Sequence, residues 1–182
     1  MSLPSVDARY VIFPAGPADA EVLAWAHVTA WRQTYQGLLP DAFLARMSEP
    51  LHARRFAHSL LHPRPDAVTL AAADRAGIVG YAEGGPSRRG VAGEGEVATL
   101  YLVRAAQGHG LGRRLLTETA RALAARGARS LVVSVLAANA PARRFYEHLG
   151  GAAEPPRIEP GPGGGSYEEV AYFWADIATL IG

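Results

Sequence analysis

Apolar positions along this chain change period several times, and each change marks an element. Residues 10–13 form a short apolar run ended by Pro14 and read as a first strand. From 17 to about 35 the period is helical. Asp19 is placed to start the helix, and Val22, Leu23, Trp25, Ala26 and Val28 supply an apolar surface. Gly37 and Pro40 break it. Phe43, Leu44 and Met47 predict a second short helix, and residues 51–61 a third. Residues 67–73 and 78–83 then flank Asp74-Arg75-Ala76-Gly77, a hairpin with a glycine-containing turn. A polar, glycine-rich loop over 87–95 leads into a strand over 96–103. A helix over 110–126 is closed by Gly127, a strand over 130–136 looks buried, and a helix over 139–149 is closed by Gly150. Residues 155–165, dense in Pro and Gly, are expected to be a mobile loop, and 167–174 a last strand.

This order is a strand, helices, antiparallel strands, then β-α-β-α-β. It predicts a mixed α/β sheet with helices on its faces. No stretch is long enough for an interdomain linker, so one domain over 1–182 is expected, with a short disordered N-terminus at about 1–8.

Composition narrows the functional classes. The chain is 49% hydrophobic and 19% charged, as expected of a folded globular protein. Its formal charge of +1 gives no bulk electrostatic reason to bind nucleic acid. All 18 basic residues are Arg, a compositional habit rather than a functional feature. The absence of Cys excludes disulfides, thiolate metal sites and a Cys nucleophile, and fits a cytoplasmic location. No apolar run approaches the roughly 18 residues of a membrane span, and no membrane partner is expected. The histidines contain no HExxH pair, so no metal is expected.

The chemistry begins at QGHGLGRRLL, Gln107 to Leu116. The segment follows a strand and opens a helix whose Leu111, Leu115, Leu116, Ala120 and Leu123 recur at helical spacing. One reading is a tight strand-to-helix turn. The other is an anion site, because a helix N-terminus presents unpaired N–H groups and the positive end of its dipole. Gly108, Gly110 and Gly112 would permit close approach, and Arg113 and Arg114 oppose the dipole unless an anion sits nearby. The segment is neither GxxxxGK[ST] nor a dinucleotide fingerprint, since the next strand carries no ribose-binding acid.

The spacing QxxGxG between strand and helix resembles the acetyl-CoA pyrophosphate loop of the GNAT superfamily of N-acetyltransferases. NAPARRFYEHLGG, Asn139 to Gly151, resembles that superfamily's next motif, and AWRQTYQGLLPDAFL, Ala30 to Leu44, resembles the first-helix region of one bacterial branch. Arg104 stands where such proteins often have Pro.

The resemblance implies a mostly antiparallel sheet of about six to seven strands flanked by helices, with a splayed strand pair holding acetyl-CoA. It implies main-chain pairing of the pantetheine arm with Leu102 and Val103, beside Tyr101. It places the pyrophosphate on the N–H groups of Gln107, Gly108, His109, Gly110, Leu111, Gly112 and Arg113, with the His109 side chain toward solvent or nucleotide. Asn139 reads both as N-cap and as a cofactor contact. Tyr146 matches the general acid at the leaving thiolate, while Phe145 and Leu149, four apart, are expected to form the core face. Glu96 matches the offset of the histone acetyltransferases' general base (107 − 96 = 11), with Glu83 as runner-up.

The reaction implied is direct transfer of acetyl from acetyl-CoA to a primary amine in a ternary complex. The acceptor is a small-molecule or peptide amine, and a homodimer through the exposed last strand is open. The alternative is a CoA-binding sensor or regulatory module without turnover.

Overall fold

In the computed structural model, which describes residues 9–182, β1 (Val11–Pro14) leads through a 3-10 turn at Pro17–Asp19 into α1 (Ala20–Tyr35). The segment expected to be a disordered N-terminus lies outside the described residues. Two further helices follow, α2 (Asp41–Ala45) and α3 (Glu49–Leu61). The Ser48 hydroxyl caps α3 by accepting from the Leu51 N–H. β2 (Val68–Asp74) and β3 (Gly77–Pro86) make the expected hairpin, and the carboxylate of Asp74 accepts from the Ala76 N–H to fix its turn.

After the 87–93 loop come β4 (Glu94–Leu102), α4 (Leu111–Ala124), β5 (Ser130–Leu136) and α5 (Ala140–His148). The chain ends in β6 (Ala152–Ala153), β7 (Arg157–Pro160), β8 (Ser166–Trp174) and α6 (Ala178–Ile181).

The described residues form one sheet ordered β1-β2-β3-β4-β5-β8-β6, with β7 also paired to β8. Every pairing is antiparallel except β4 with β5, so the mixed, mostly antiparallel α/β class holds. α1 and α3 cover one face through Leu23, Ala26 and Phe56, packed on Ala71 and Tyr81. α4 covers the other, with Leu111, Leu115, Leu116 and Leu123 against Ala82, Val97, Leu131 and Val133. α1 buries a single stripe, so Val22 and Trp25, expected on its apolar surface, are on its outer side, 43% and 42% exposed.

Three expectations are corrected here. The sheet has eight strands rather than six or seven, because β6 and β7 add to those predicted. The 155–165 segment is a hairpin arm: Arg157–Pro160 pairs with Ser166–Glu169, and the Gly161 N–H closes the turn on the Gly165 carbonyl. Pairing with β8 supplies the backbone partners that a Pro- and Gly-rich sequence does not advertise. The last strand is not an exposed edge either, since β5 flanks β8 on one side and β6 and β7 on the other. Its edge groups are already paired, which removes the ground on which a dimer through this strand was entertained.

Candidate active site

The parallel ladder between β4 and β5 holds for only three pairs, Glu94–Ser130, Gly95–Leu131 and Glu96–Val132. Beyond Glu96 the strands diverge. A register shift of β4 against β3 at Glu83/Gly84 accompanies the divergence, as expected where a bulge bends a strand. The gap is a groove of about 670 Å³, walled by Val97 to Leu102 on one side and Val133 to Val135 on the other. The N-terminus of α4 stands at one end, and α5 with Tyr146 lies along it.

The main chain of β4 is sorted by its pairing with β3. The Val103 N–H bonds to the Val79 carbonyl at 2.9 Å, and the Val103 carbonyl accepts from Ala106 at 2.9 Å. Antiparallel alternation then turns the N–H and C=O of Leu102 and Leu100 away from β3 and toward the gap. The expected main-chain contact at Val103 is therefore corrected. Both of its backbone groups are committed, and Leu102 with Leu100 presents the groove edge. Gln107 folds its side chain back, its amide donating to the Leu102 carbonyl at 3.0 Å.

At α4 the three glycines divide their work. Gly108 and Gly110 have φ of +78° and +75°, left-handed values that disfavour any side chain. Gly112 is helical, and a Cβ there would stand 3.4 Å from the Phe145 ring, where α4 meets α5. The helix has no side-chain N-cap, and its first backbone bond in register is Arg114 N–H to the Gly110 carbonyl. The N–H groups of Leu111, Gly112 and Arg113 thus lack intrahelical partners at the end of the groove. The Leu111 side chain is core, 1% exposed, so only its backbone is available there. The His109 ring packs beside Tyr10, centroids 6.3 Å apart, and does not line the groove. α5 contrasts with α4, since the Asn139 carboxamide oxygen accepts from the Ala142 N–H at 3.2 Å. Asn139 is buried, caps its helix, and also lines the groove.

Tyr146 reverses the expected facing of α5. It is 5% exposed and packs on Tyr172 and edge-on to Trp174, while Phe145 and Leu149, expected as the core face, are half-buried on the groove wall. The inner side of this nine-residue helix faces β8, which decides which positions are buried. Among the described residues the Tyr146 hydroxyl has no hydrogen-bond partner, although the side chain lines the groove. Burial, followed by the neighbouring Tyr35, pushes its pKa upward. The group is therefore a neutral phenol, with its proton to give, throughout the physiological range.

Glu96 is the clearest departure. Placed by its offset as a base, it is 4% exposed and takes bonds from the Arg88 backbone N–H at 2.9 Å and the Arg88 guanidinium at 2.5 and 2.9 Å. It lines a neighbouring cavity of about 340 Å³ beneath β7 and β8, not the groove. The pairing partner comes from the loop eight residues earlier, which strand spacing does not reveal. Ser134, exposed on β5, lines both spaces and joins them.

The structure also adds residues the sequence did not single out. Gln33 and Thr34 of α1 reach the groove, and the Gln33 amide oxygen accepts from the Arg104 N–H at 2.7 Å, pinning the start of the loop. Arg143 donates to the Tyr172 hydroxyl and does not line the groove. Among the described residues no group of three or more His, Asp or Glu could hold a metal, even though His58, in the last turn of α3, and His62, just past its end, lie close together.

Beneath α1, the His27 ring stacks on His52 at 4.3 Å and its Nδ1 lies 2.6 Å from the Tyr81 hydroxyl. Burial first, then His52 and Arg55, lowers its pKa from 6.5 to about 3. Between those values the unfolded chain holds a proton that the folded one does not. Stability is therefore full above pH 6.5 and falls as the pH drops, by up to about 1.4 kcal/mol per pH unit. Urea unfolding at pH 7.0 and 5.5 should show a larger loss for wild type than for His27→Gln. Equal losses would refute the assignment.

A model described as the acetyltransferase (GNAT) family matches residues 28–151. A Bacillus subtilis (strain 168) protein described as the uncharacterized N-acetyltransferase YuaI is 30% identical over 166 residues, covering 89% of this chain and 91% of that protein. Among solved structures, PaiA N-acetyltransferase from Thermoplasma acidophilum, in complex with coenzyme A, superposes with a TM-score of 0.66 at 19% identity, covering 89% of this chain and 97% of its own. YncA from Salmonella typhimurium, with acetyl-CoA, gives 0.69 at 20% identity over 93% and 95%. Among the described residues no helix is long and apolar enough to cross a membrane.

Proposed function

The chain belongs to the acetyltransferase (GNAT) family, and from that membership we propose that it moves the acetyl group of acetyl-CoA directly onto a primary amine in a ternary complex. One arrangement supports this reading. A single groove joins an uncapped helix N-terminus, an unpaired strand edge and a buried phenol whose hydroxyl has no hydrogen-bond partner among the described residues.

Each part has a task. The N–H groups of Leu111, Gly112 and Arg113, in the turn shaped by Gln107, Gly108 and Gly110, receive the pyrophosphate, and the Arg113 side chain adds charge. The main-chain groups of Leu100 and the N–H of Leu102, whose carbonyl is taken by Gln107, pair with the pantetheine amides as an added strand would. His109, packed outside the groove, borders only the nucleotide end. Asn139 holds α5 in place, and with it Tyr146. The amine nitrogen attacks the thioester carbon, a C–N bond forms, and the C–S bond breaks. The departing sulfur takes the Tyr146 proton.

Calorimetric titration of acetyl-CoA tests the cofactor half. Gly110→Asn tolerates the left-handed backbone, whereas Gly110→Glu adds a carboxylate to the phosphate cradle. Wild type should bind, and Gly110→Glu should bind at least about tenfold more weakly than Gly110→Asn, as lost charged hydrogen bonds imply. Absence of binding by wild type would sink the proposal. Thiol release with a panel of spermidine, L-lysine, kanamycin and an N-terminal alanine peptide then tests transfer.

A further inference from the structure

Direct attack requires an amine that has lost its proton, and the groove's phenol is a donor, not an acceptor. With Glu96 held by Arg88, the accepting group lies elsewhere. Among the described residues Glu83, on the strand beside the groove-lining β4, has no ion-pair partner.

Glu83 lies on β3 opposite Thr99 of β4, at the register shift beside the splay. The Glu83 and Thr99 side chains are cross-strand neighbours on the face of the sheet that also carries Tyr81. Thr99 itself stands on the groove wall. A carboxylate only accepts, so between this pair the Thr99 O–H can serve only as the donor, and its oxygen keeps lone pairs for another donor.

The surroundings of Glu83 are mapped on every side. α1 brings His27 and α3 brings His52 and Arg55. β4 brings Tyr101 with Thr99, β3 itself brings Tyr81, and β2 sets Thr69, which does not titrate, across from it. His27 is neutral at physiological pH. Arg55 acts at a distance, and among the described residues no cation lies within ion-pair reach of Glu83. A half-buried carboxylate without a paired cation is costly to folding, and such costs concentrate where function needs them.

We propose that Glu83 is the positioning base of the transfer, drawing the proton of the incoming ammonium through the Thr99 hydroxyl. The ammonium gives one proton to the Thr99 oxygen as Thr99 gives its own to the Glu83 carboxylate. The products of the step are a neutral amine and a carboxylic acid. The geometry separates the two proton tasks, with Thr99 and Glu83 on the β3–β4 side of the groove and Tyr146 on α5. Burial also raises the Glu83 pKa, which makes it a better proton acceptor than an ordinary carboxylate.

The inference rests on the acetyl-transfer reading, and one experiment separates their failures. The pH dependence of kcat is measured from pH 5 to 9 for wild type, Glu83→Gln, Glu83→Asp and Thr99→Val, with the panel amine that turns over fastest. Wild type should show an acidic limb above the ordinary carboxylate range. Glu83→Gln should lose about 100-fold in kcat at pH 7, lack that limb and rise steadily with pH, at an unchanged KM for acetyl-CoA. Glu83→Asp should keep the limb and recover part of the rate, and Thr99→Val should resemble Glu83→Gln while Glu83 remains. A limb that persists at the same pH in Glu83→Gln overturns the relay, as does a loss confined to the KM of the amine. A wild type that acetylates none of the amines refutes the transfer reading itself.

Discussion

Tyr146→Phe is expected to lower kcat by about 10²- to 10⁴-fold, the range for loss of one positioned proton donor, while leaving acetyl-CoA affinity intact. The substitution removes one oxygen. The ring keeps its contacts with Phe145, Tyr172 and Trp174. Among the described residues the hydroxyl has no hydrogen-bond partner to orphan, so the thermal midpoint should stay close to that of wild type. Loss of turnover without loss of binding or stability would leave only the proton as the missing element. The raised pKa adds a pH signature: wild-type kcat should not decline near pH 10 on account of this phenol. A CoA-binding sensor without turnover predicts no change on any axis. Thiol-release kinetics and calorimetry on one preparation decide between them.

Trp174→Ala should cost about 3–5 kcal/mol of folding stability, the usual range for deleting a large buried aromatic. Trp174 is 3% exposed, packs edge-on to Tyr146, and donates its indole N–H to the Leu149 carbonyl at 2.9 Å, closing the end of α5. Its loss opens a cavity behind Tyr146 and unpins the helix that carries it. The variant should therefore lose kcat as well as stability, and it should lose kcat even at temperatures where denaturant titration shows it fully folded. Full activity in a folded Trp174→Ala would mean that Tyr146 needs no backing.

Much of this architecture is legible in the sequence because local rules decide it. The alternating and continuous apolar runs set β5 at Ser130–Leu136, Gly127 and Gly150 take the positive φ that closes a helix, and Asn139 caps α5 as its side chain allows. What escaped was decided at a distance. β7 exists because β8 pairs with it, although Pro and Gly dominate its sequence. The facing of Tyr146 against Phe145 depends on where β8 lies beneath a helix of two and a half turns. Val103 is committed by Val79, from another strand. Glu96 follows a familiar spacing yet is claimed by Arg88, and Glu83 meets Thr99 only through the register in which β3 pairs with β4. Spacing along a chain reports which backbone is where, but not which partner a charged side chain has found.

The short β4–β5 ladder has a mechanical consequence. Three ladder pairs, continued only by the bonds of Arg129 and Ser130 to the Gly93 carbonyl, stitch β1–β4 to the β5, β8, β6 and β7 group, so the sheet is two plates joined at a narrow seam. Side chains of α4 bridge them on one face, from Ala82 and Val97 on one plate to Leu131 and Val133 on the other. An extended molecule laid along the open edge acts as a splint between plates.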